Sequence, residues 1–201
     1  MMMRRTLLAS ALVTLLALPA QAEKLSLDAI SAYLNGLTIA EAAFTQINPD
    51  GSGAKGKVII RRPGRMRFEY AKPDKTVVLA SSGQVAIFDA KSNQPPEQYP
   101  LSKTPLNLIL GRKIDLKAAR MVVGHAEEGA LTIVTAQDPA HPEYGTLALG
   151  FSANPVTLRQ WVVTDETGGQ TTVLLDKLEE GGNYPPSTFL IDAEMRARGL
   201  N

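Results

Sequence analysis

The first periodic pattern after residue 22 has the spacing of an α-helix. Four aliphatic residues recur at intervals of three, four and three positions: Leu27, Ile30, Leu34 and Leu37. This spacing places them on one face of an amphipathic helix. Ser26 is a suitable N-cap, and Gly36 is a suitable residue to end the helix. The pattern predicts a helix with one buried face at this position.

From Glu41 onward the apolar period changes to two, which is typical of β-strands. Met66, Phe68 and Tyr70 alternate with charged residues, and Pro63-Gly64 before them is a turn signal. Short strands of this kind, separated by turn residues, are predicted at 57–62, 65–70, 76–80, 84–89, 131–135, 146–151, 157–165 and 171–176. Strands this short and this closely spaced indicate an antiparallel β architecture. The predicted class is α+β, mainly β.

One segment departs from the strand pattern. Thr104 is a possible helix cap, Pro105 suits the first helical position, and Gly111 suits the position after the end. Its interior is dominated by large aliphatic residues: Leu106, Leu108, Ile109 and Leu110. A helix this apolar has to pack against an apolar surface. For 115–123, a helical turn and a strand both remain open.

The N-terminus resembles an export signal. Arg4 and Arg5 precede an apolar run over 7–18, and Ala20-Gln21-Ala22 fits a signal-peptidase site. The apolar run is too short for a membrane-spanning helix of the mature protein. We expect residues 1–22 to be cleaved as a signal peptide, leaving 23–201 as one domain. The expected location is the periplasm of a Gram-negative bacterium, as a soluble protein.

Composition narrows the function. The chain contains 21 Lys and Arg against 20 Asp and Glu, and removal of the signal takes away two arginines. A near-neutral balance does not favour nucleic acid as a partner. The sequence has no cysteine, so the protein forms no disulfide and does not carry the cysteine-linked lipid anchor of bacterial lipoproteins.

The segments that resemble motifs for catalysis or metal binding lack the neighbouring residues or elements that such motifs require. The glycines between Gly51 and Gly56 approach a phosphate-binding loop, but Val58 stands where Ser or Thr would hold magnesium, and a strand follows instead of a helix. We therefore interpret these glycines as a flexible hairpin loop. His125 and His141 stand in no metal-binding spacing. The sequence predicts no enzyme, no metal and no cofactor.

Two arrangements of these elements are possible. A sheet has to bury one face. If the sheet curls without closing, the apolar helices cover its concave side and enclose an apolar pocket. Otherwise the same helices cover an ordinary filled core. Periodicity alone favours the filled core.

Five separate stretches resemble the outer-membrane lipoprotein carrier (LolA) family, in the family's order. The stretch from Gly56 to Tyr70 resembles its signature strand pair, and similarity extends over about 27–191. The other matching stretches are Phe44-Thr45-Gln46, residues 82–89, residues 99–110, and Leu158, Trp161, Asp165, Gly168 and Thr171. The tail after Ile191 matches no element of the family.

The resemblance implies an open, incomplete antiparallel β-barrel with short helices that form a lid over a hydrophobic concave face. It implies a periplasmic chaperone that binds acyl chains of lipoproteins and carries them to the outer membrane. The implied partners are acylated lipoproteins as cargo, an inner-membrane ABC-type releasing complex, and an outer-membrane receptor where one exists. We expect a monomer.

The resemblance also implies roles for particular residues. Arg62 matches the arginine that closes the lid, by hydrogen bonds from its guanidinium to lid carbonyls; Arg61 is expected to face the other way, because strand faces alternate. Leu106, Leu108, Ile109 and Leu110 are the expected lid. The expected acyl-binding wall is Met66, Phe68, Tyr70, Phe88 and Trp161.

Three other functions remain open. The same fold can serve as a carrier or sensor for free lipids or for another acylated partner. A lipid hydrolase requires a nucleophile and a base within hydrogen-bond reach. An interaction domain requires only a filled core.

Overall fold

One antiparallel sheet of twelve strands forms the framework of residues 24–104 and 106–200, the part of the chain that this computed structural model describes. The predicted signal peptide, including Arg4 and Arg5, lies outside the described residues, as does Pro105. The fold is therefore mainly β, as the alternating pattern predicts.

Three short α-helices accompany the strands: α1 Leu27–Gly36, α2 Asn107–Leu110 and α3 Ile191–Ala197. The first half of the sheet contains β1 Ile39–Ile47, β2 Gly53–Arg61, β3 Arg65–Tyr70, β4 Val77–Ser81, β5 Gln84–Phe88 and β6 Glu97–Pro100. The second half contains β7 Val122–Glu128, β8 Leu131–Gln137, β9 Thr146–Ser152, β10 Thr157–Thr164, β11 Gln170–Leu175 and β12 Glu179–Glu180. Turns of 3₁₀ helix lie at Leu101–Lys103, Pro142–Tyr144 and Pro186–Phe189.

The sheet is open. Its strands follow the order β6-β5-β4-β3-β2-β1-β11-β10-β9-β8-β7, with the short β12 paired to β1. The edge strands β6 and β7 are not paired with each other. The chain between them, residues 101–121, contains α2; we call it the lid segment. This confirms the incomplete barrel that the family resemblance implies.

The strand register sorts side chains onto two faces. In the β2–β3 hairpin, Val58 pairs with Phe68 and Ile60 pairs with Met66. These four residues belong to the main core, together with Ile30 of α1 and Ile109 of α2. The face that carries both helices is therefore the concave face. Alternate residues of the same strands point to the opposite, convex face.

Helix α1 forms as its sequence predicts. The Ser26 side chain accepts a hydrogen bond from the Ala29 amide at 3.1 Å, and the helix ends at Gly36. Ile30 and Leu34, one turn apart, are completely buried. The apolar stripe thus docks α1 on the concave face of the sheet.

The glycine-rich stretch after β1 differs from the expectation. Gly53 and Gly56 lie within β2 and not in a flexible loop. A Cβ on Gly56 would lie 2.2 Å from the Glu69 carbonyl oxygen and 2.6 Å from the Phe44 ring. Glycine is therefore required there because the Glu69 carbonyl and the Phe44 ring both lie too close to admit a Cβ. Of the two possibilities for 115–123, neither covers the whole segment. Turns lie at 116–118 and 120–121, and β7 begins at Val122.

The convex face of β3, β4 and β5 is covered by the C-terminus. The 3₁₀ turn at Pro186–Phe189 contacts β3 and β4, and Phe189 is fully buried. Beyond it, Ile191 and Met195 of α3 pack on a second apolar cluster. We call residues 184–200 the C-terminal strap; the sequence did not predict it.

An ionic network fixes the strap to the sheet. Glu194 accepts hydrogen bonds from Arg67 at 2.9 Å and from Arg198 at 2.7 Å. Burial alone would raise the pKa of the Glu194 carboxyl, but the hydrogen bonds from Arg198 and Arg67 outweigh it and hold the pKa below its usual value of 4.5. Ionised Glu194 therefore stabilises the docked strap.

We expect Glu194→Gln to destabilise the protein at neutral pH by about 2 kcal/mol, the usual worth of hydrogen bonds to a charged group. Because the folded pKa is depressed, the contribution of Glu194 is complete above pH 4.5 and is lost as pH falls through the lower folded value. Urea unfolding at pH 7 and pH 3 measures this. The difference between the wild type and the variant should shrink at pH 3; a difference independent of pH would contradict the role of the charge.

Candidate functional site

The concave face is an apolar wall. Three of the predicted wall residues lie on it, with exposed fractions of 1% for Met66, 8% for Phe68 and 4% for Trp161. The rings of Phe68 and Trp161 pack edge to face with their centroids 5.5 Å apart. The hairpin β2–β3 and strand β10 therefore join in one apolar surface.

Tyr70 also contributes to this wall, but with a polar end. Its ring packs against Phe44 at 5.2 Å, and its hydroxyl donates a hydrogen bond to Gln46 Oε1 at 2.6 Å. Burial, assisted by the negative charge of Asp74, raises the pKa of Tyr70 to about 12. The phenol stays neutral at physiological pH, which suits an apolar surface.

Phe88 does not belong to the wall, and this prediction is corrected. Phe88 lies in the second apolar cluster with Val77, Leu79 and Ala86, on the convex face. The guanidinium of Arg198 lies 5.2 Å from the centre of its ring. Every position from Val85 to Phe88 is apolar, although Val85 packs on the concave core, Ala86 and Phe88 pack under the C-terminal strap, and Ile87 is exposed. Alternation therefore does not indicate which face of β5 is concave.

The sequence analysis missed most of the wall. Strands β1, β9, β10 and β11 supply further buried residues on the same face: Ala40, Ala42, Phe44, Leu147, Leu149, Phe151, Leu158, Val173 and Leu175. Their period-two spacing within β1 and β9 is a signal that could have identified them.

The lid segment fills the concave face. Leu108, Ile109 and Leu110 of α2 are exposed by only 7%, 0% and 1%. Leu106 precedes the helix and is partly buried against the same core. Thr104 does not cap the helix, since its hydroxyl donates a hydrogen bond to the Leu101 carbonyl at 2.9 Å. The space of the expected cavity is occupied by the protein's own aliphatic side chains.

Arg62 joins the wall to the lid. Its Nη2 donates a hydrogen bond of 2.6 Å to the Gly111 carbonyl, directly after α2. The Gly64 amide donates a second one, of 2.8 Å, to the Leu110 carbonyl. Burial lowers the pKa of Arg62, and its Nε is buried without a hydrogen-bond partner within the described part of the chain. Arg61 points the other way, to the Tyr184 carbonyl at 3.0 Å.

A groove of ≈ 440 Å³ opens where the lid meets the strand turns. Its lining includes Gly64, Ser82 and Gly83 from the turns and Leu110 and Gly111 from the lid. The end of α2 that Arg62 holds therefore borders on solvent.

Helix α1 holds the other side of the lid segment. The Asn35 amide group donates to the Ile114 carbonyl at 2.8 Å and accepts from the Ile114 amide at 2.9 Å. One turn back, Ser31 Oγ accepts from the Leu116 amide at 3.1 Å. Asp28, a turn further, forms an exposed salt bridge with Lys117. Sequence analysis did not single out these residues, because a polar helix face is usually solvated.

We expect Asn35→Ala to loosen the lid segment, because the change leaves both backbone groups of Ile114 without their partner. The expected loss of stability is about 1–3 kcal/mol, with faster hydrogen exchange at the Ile114 and Leu116 amides. Asn35→Asp, which keeps the acceptor and loses the donor, should fall between the wild type and Asn35→Ala. Unchanged exchange at Ile114 in Asn35→Ala would contradict this role.

The described residues offer few other groups suited to metal binding or catalysis. No group of three or more His, Cys, Asp or Glu side chains is placed to hold a metal ion there. His125 Nε2 lies 2.8 Å from the Leu25 carbonyl oxygen, and His141 Nδ1 lies 3.1 Å from a Glu143 carboxylate oxygen. Over the same residues, no helix has the length and hydrophobicity to span a membrane.

Fold and site together define a class of protein, an open antiparallel half-barrel whose concave apolar face is filled by a helical lid. The chain belongs to the outer membrane lipoprotein carrier protein LolA family, whose family model matches residues 35–192. That family is one of carriers, not of enzymes.

Two relatives agree with this assignment. The outer-membrane lipoprotein carrier protein of Chromobacterium violaceum is 25% identical over 190 residues, covering 91% of this chain and 90% of that protein. Its counterpart in Chromohalobacter salexigens is 26% identical, covering 88% of each. A crystal structure of a LolA superfamily protein from Nitrosomonas europaea is 10% identical, with a TM-score of 0.43, covering 84% of this chain and 99% of that one.

Proposed function

We propose that this protein is a periplasmic chaperone that receives the acyl chains of lipoproteins released from the inner membrane and carries them to the outer membrane. The acyl chains bind on the concave wall in the space that the lid vacates. Met66, Phe68, Tyr70 and Trp161 form part of the acyl-binding surface, and Arg62 is the lid switch. Residues 1–22 serve as the cleaved signal, and 23–201 act as one domain.

The observation that carries this proposal is the way the concave face is filled. Three consecutive lid residues, Leu108 to Leu110, occupy it. Among the described residues, two hydrogen bonds, from Arg62 and Gly64, join the end of α2 to the β2–β3 turn. Such a plug can leave as a unit and expose an aliphatic surface.

The plug also accounts for reversibility. Burying an acyl chain gains about 0.8 kcal/mol per CH₂ group, so an open apolar cavity would hold several chains almost irreversibly. Because the empty carrier re-buries its own leucines, part of this gain is offset. The net affinity is then high enough to shield cargo and low enough to release it.

The proposed partners follow from the family. Cargo comes from an inner-membrane ABC-type releasing complex, whose ATP hydrolysis supplies the energy, and passes to an outer-membrane receptor where one exists. The carrier itself needs no cofactor and acts as a monomer. It binds no nucleic acid, consistent with its balanced charge.

The test is to express the full chain, purify it from the periplasm, and analyse it by native mass spectrometry with identification of the bound lipid. We expect an N-terminus at Glu23 and an acylated polypeptide bound one to one. Bound lipid without polypeptide would favour a carrier or sensor for free lipids on the same fold. A protein that is empty and ignores a fluorescent fatty acid has a permanently filled core, and the carrier proposal would fail.

A further inference from the structure

The lid segment is strongly basic, although the chain as a whole is nearly neutral. Five cations fall within residues 101–121, against Asp115 as the one carboxylate: Lys103, Arg112, Lys113, Lys117 and Arg120. The full chain carries a formal net charge of +1. Positive charge is thus concentrated on the element that covers the concave face.

These five cations are exposed to solvent. Within the described ranges, Lys117 is the member of this set that forms a salt bridge, with Asp28 on α1. The side chain of Asp115 accepts a hydrogen bond from the Ala118 amide at 3.1 Å. Asp28 and Asp115 therefore offset only part of the charge, and the remaining guanidinium and ammonium groups can bind an external anion.

Apolar side chains lie directly beneath the cations. Ile114 and Leu116 are exposed by 6% and 1%, while Lys113, Asp115 and Lys117 alternate with them and are exposed. The segment is therefore amphipathic, with a cationic outer side and an aliphatic inner side. Segments of this type bind the interface of bilayers that contain anionic lipids.

We propose that the outer side of the lid segment docks this protein onto an anionic phospholipid bilayer, so that the lid faces the membrane. A role of this contact in loading or unloading acylated cargo rests on the proposed function. The contact with the bilayer itself needs no cargo. A carrier held in this orientation opens its lid against lipid, and the leucines that leave the concave face enter the interface instead of water.

A planar lipid surface fits the distribution of charge better than an acidic protein patch. The cations extend along the chain from Lys103 to Arg120 and flank apolar residues. A bilayer presents phosphates to all of them at once and accepts the apolar residues behind them.

A second basic region provides a matched control. Lys55, Lys72 and Lys91 surround a groove of ≈ 700 Å³ lined by the turns at the far ends of the strands, away from the turns that border the lid. Lys55→Gln with Lys72→Gln therefore removes the same charge as Arg112→Gln with Lys113→Gln, but away from the lid.

The experiment is co-sedimentation of the protein, purified from the periplasm, with phosphatidylcholine vesicles that contain or lack phosphatidylglycerol. We expect binding that requires phosphatidylglycerol and weakens with salt. Since each cation at an anionic surface contributes about a factor of five in affinity, the Arg112→Gln, Lys113→Gln protein should bind about 25-fold more weakly. The Lys55→Gln, Lys72→Gln protein should bind like the wild type.

Three results would overturn the inference. The first is a wild type that does not sediment with anionic vesicles. The second is an equal loss of binding in the two double variants, which indicates a diffuse charge effect. The third is a wild type that binds immobilised polyglutamate and not vesicles, which identifies an acidic protein surface as the partner.

A fluorescent fatty acid separates this inference from the proposed function. If the lid double variant binds the fatty acid like the wild type and yet fails to bind vesicles, the docking surface is confirmed independently of the cavity. Suppose instead that the wild type and both double variants fail to bind the fatty acid, while only the lid double variant loses vesicle binding. The carrier proposal then fails and the docking surface stands.

Discussion

Replacing Ile109 by alanine is expected to raise the affinity of this protein for a fluorescent fatty acid by at least about tenfold. Ile109 is completely buried while the lid segment covers the concave face. The truncation costs about 2–5 kcal/mol there, but little in the loaded state, where the acyl chain replaces the side chain. The variant therefore shifts the equilibrium from the lid-covered state towards the state with bound fatty acid. Energy transfer from Trp161, the one tryptophan of the sequence, reports the binding.

Ile59→Ala is the control for this prediction. Ile59 is 4% exposed, on the convex face, and lies outside the concave core. The same truncation there should lower stability without changing the affinity for the fatty acid. If Ile109→Ala and Ile59→Ala bind the probe equally, Ile109 does not compete with the ligand, and the plug is only a part of the core.

Replacing Arg62 by leucine is expected to raise the same affinity by about tenfold and to speed up uptake of the probe. Under the proposed function, the hydrogen bond from Arg62 to the Gly111 carbonyl breaks when the lid opens, and such a bond from a charged group contributes about 1.5–3 kcal/mol. Part of this free-energy contribution is offset, because the guanidinium is desolvated and its Nε has no hydrogen-bond partner among the described residues. Stopped-flow fluorescence measures both quantities.

Arg61→Leu is the matched control, since it removes the same charge one residue away. Arg61 donates its hydrogen bond to Tyr184 of the C-terminal strap, on the opposite face. Its affinity for the probe should equal that of the wild type. Uptake by Arg62→Leu at the rate of the wild type would show that Arg62 does not hold the lid.

Much of the architecture is encoded locally. The spacing of Leu27, Ile30 and Leu34 and the capping side chain of Ser26 are sufficient to define α1. Alternation along β3 and the turn at Pro63-Gly64 define the β2–β3 hairpin, because a period of two places every second side chain on the core. The dense aliphatic run after Thr104 indicates α2 for a different reason, because a helix this apolar has to pack against an apolar surface.

Contacts between distant parts of the chain decided the rest. Alternation separates the two faces of a strand but does not say which face is concave, and Phe88 was misplaced because the strap buries the convex side of β5 as well. Arg67 and Glu194 are 127 residues apart in the sequence, and no local pattern joins them. Asn35 and Ile114 are 79 residues apart and meet only because the lid segment lies against α1. The sequence by itself determined which residues are apolar and with what period. The pairing of strands then determined what each of them covers, because burial depends on contacts between segments that folding brings together.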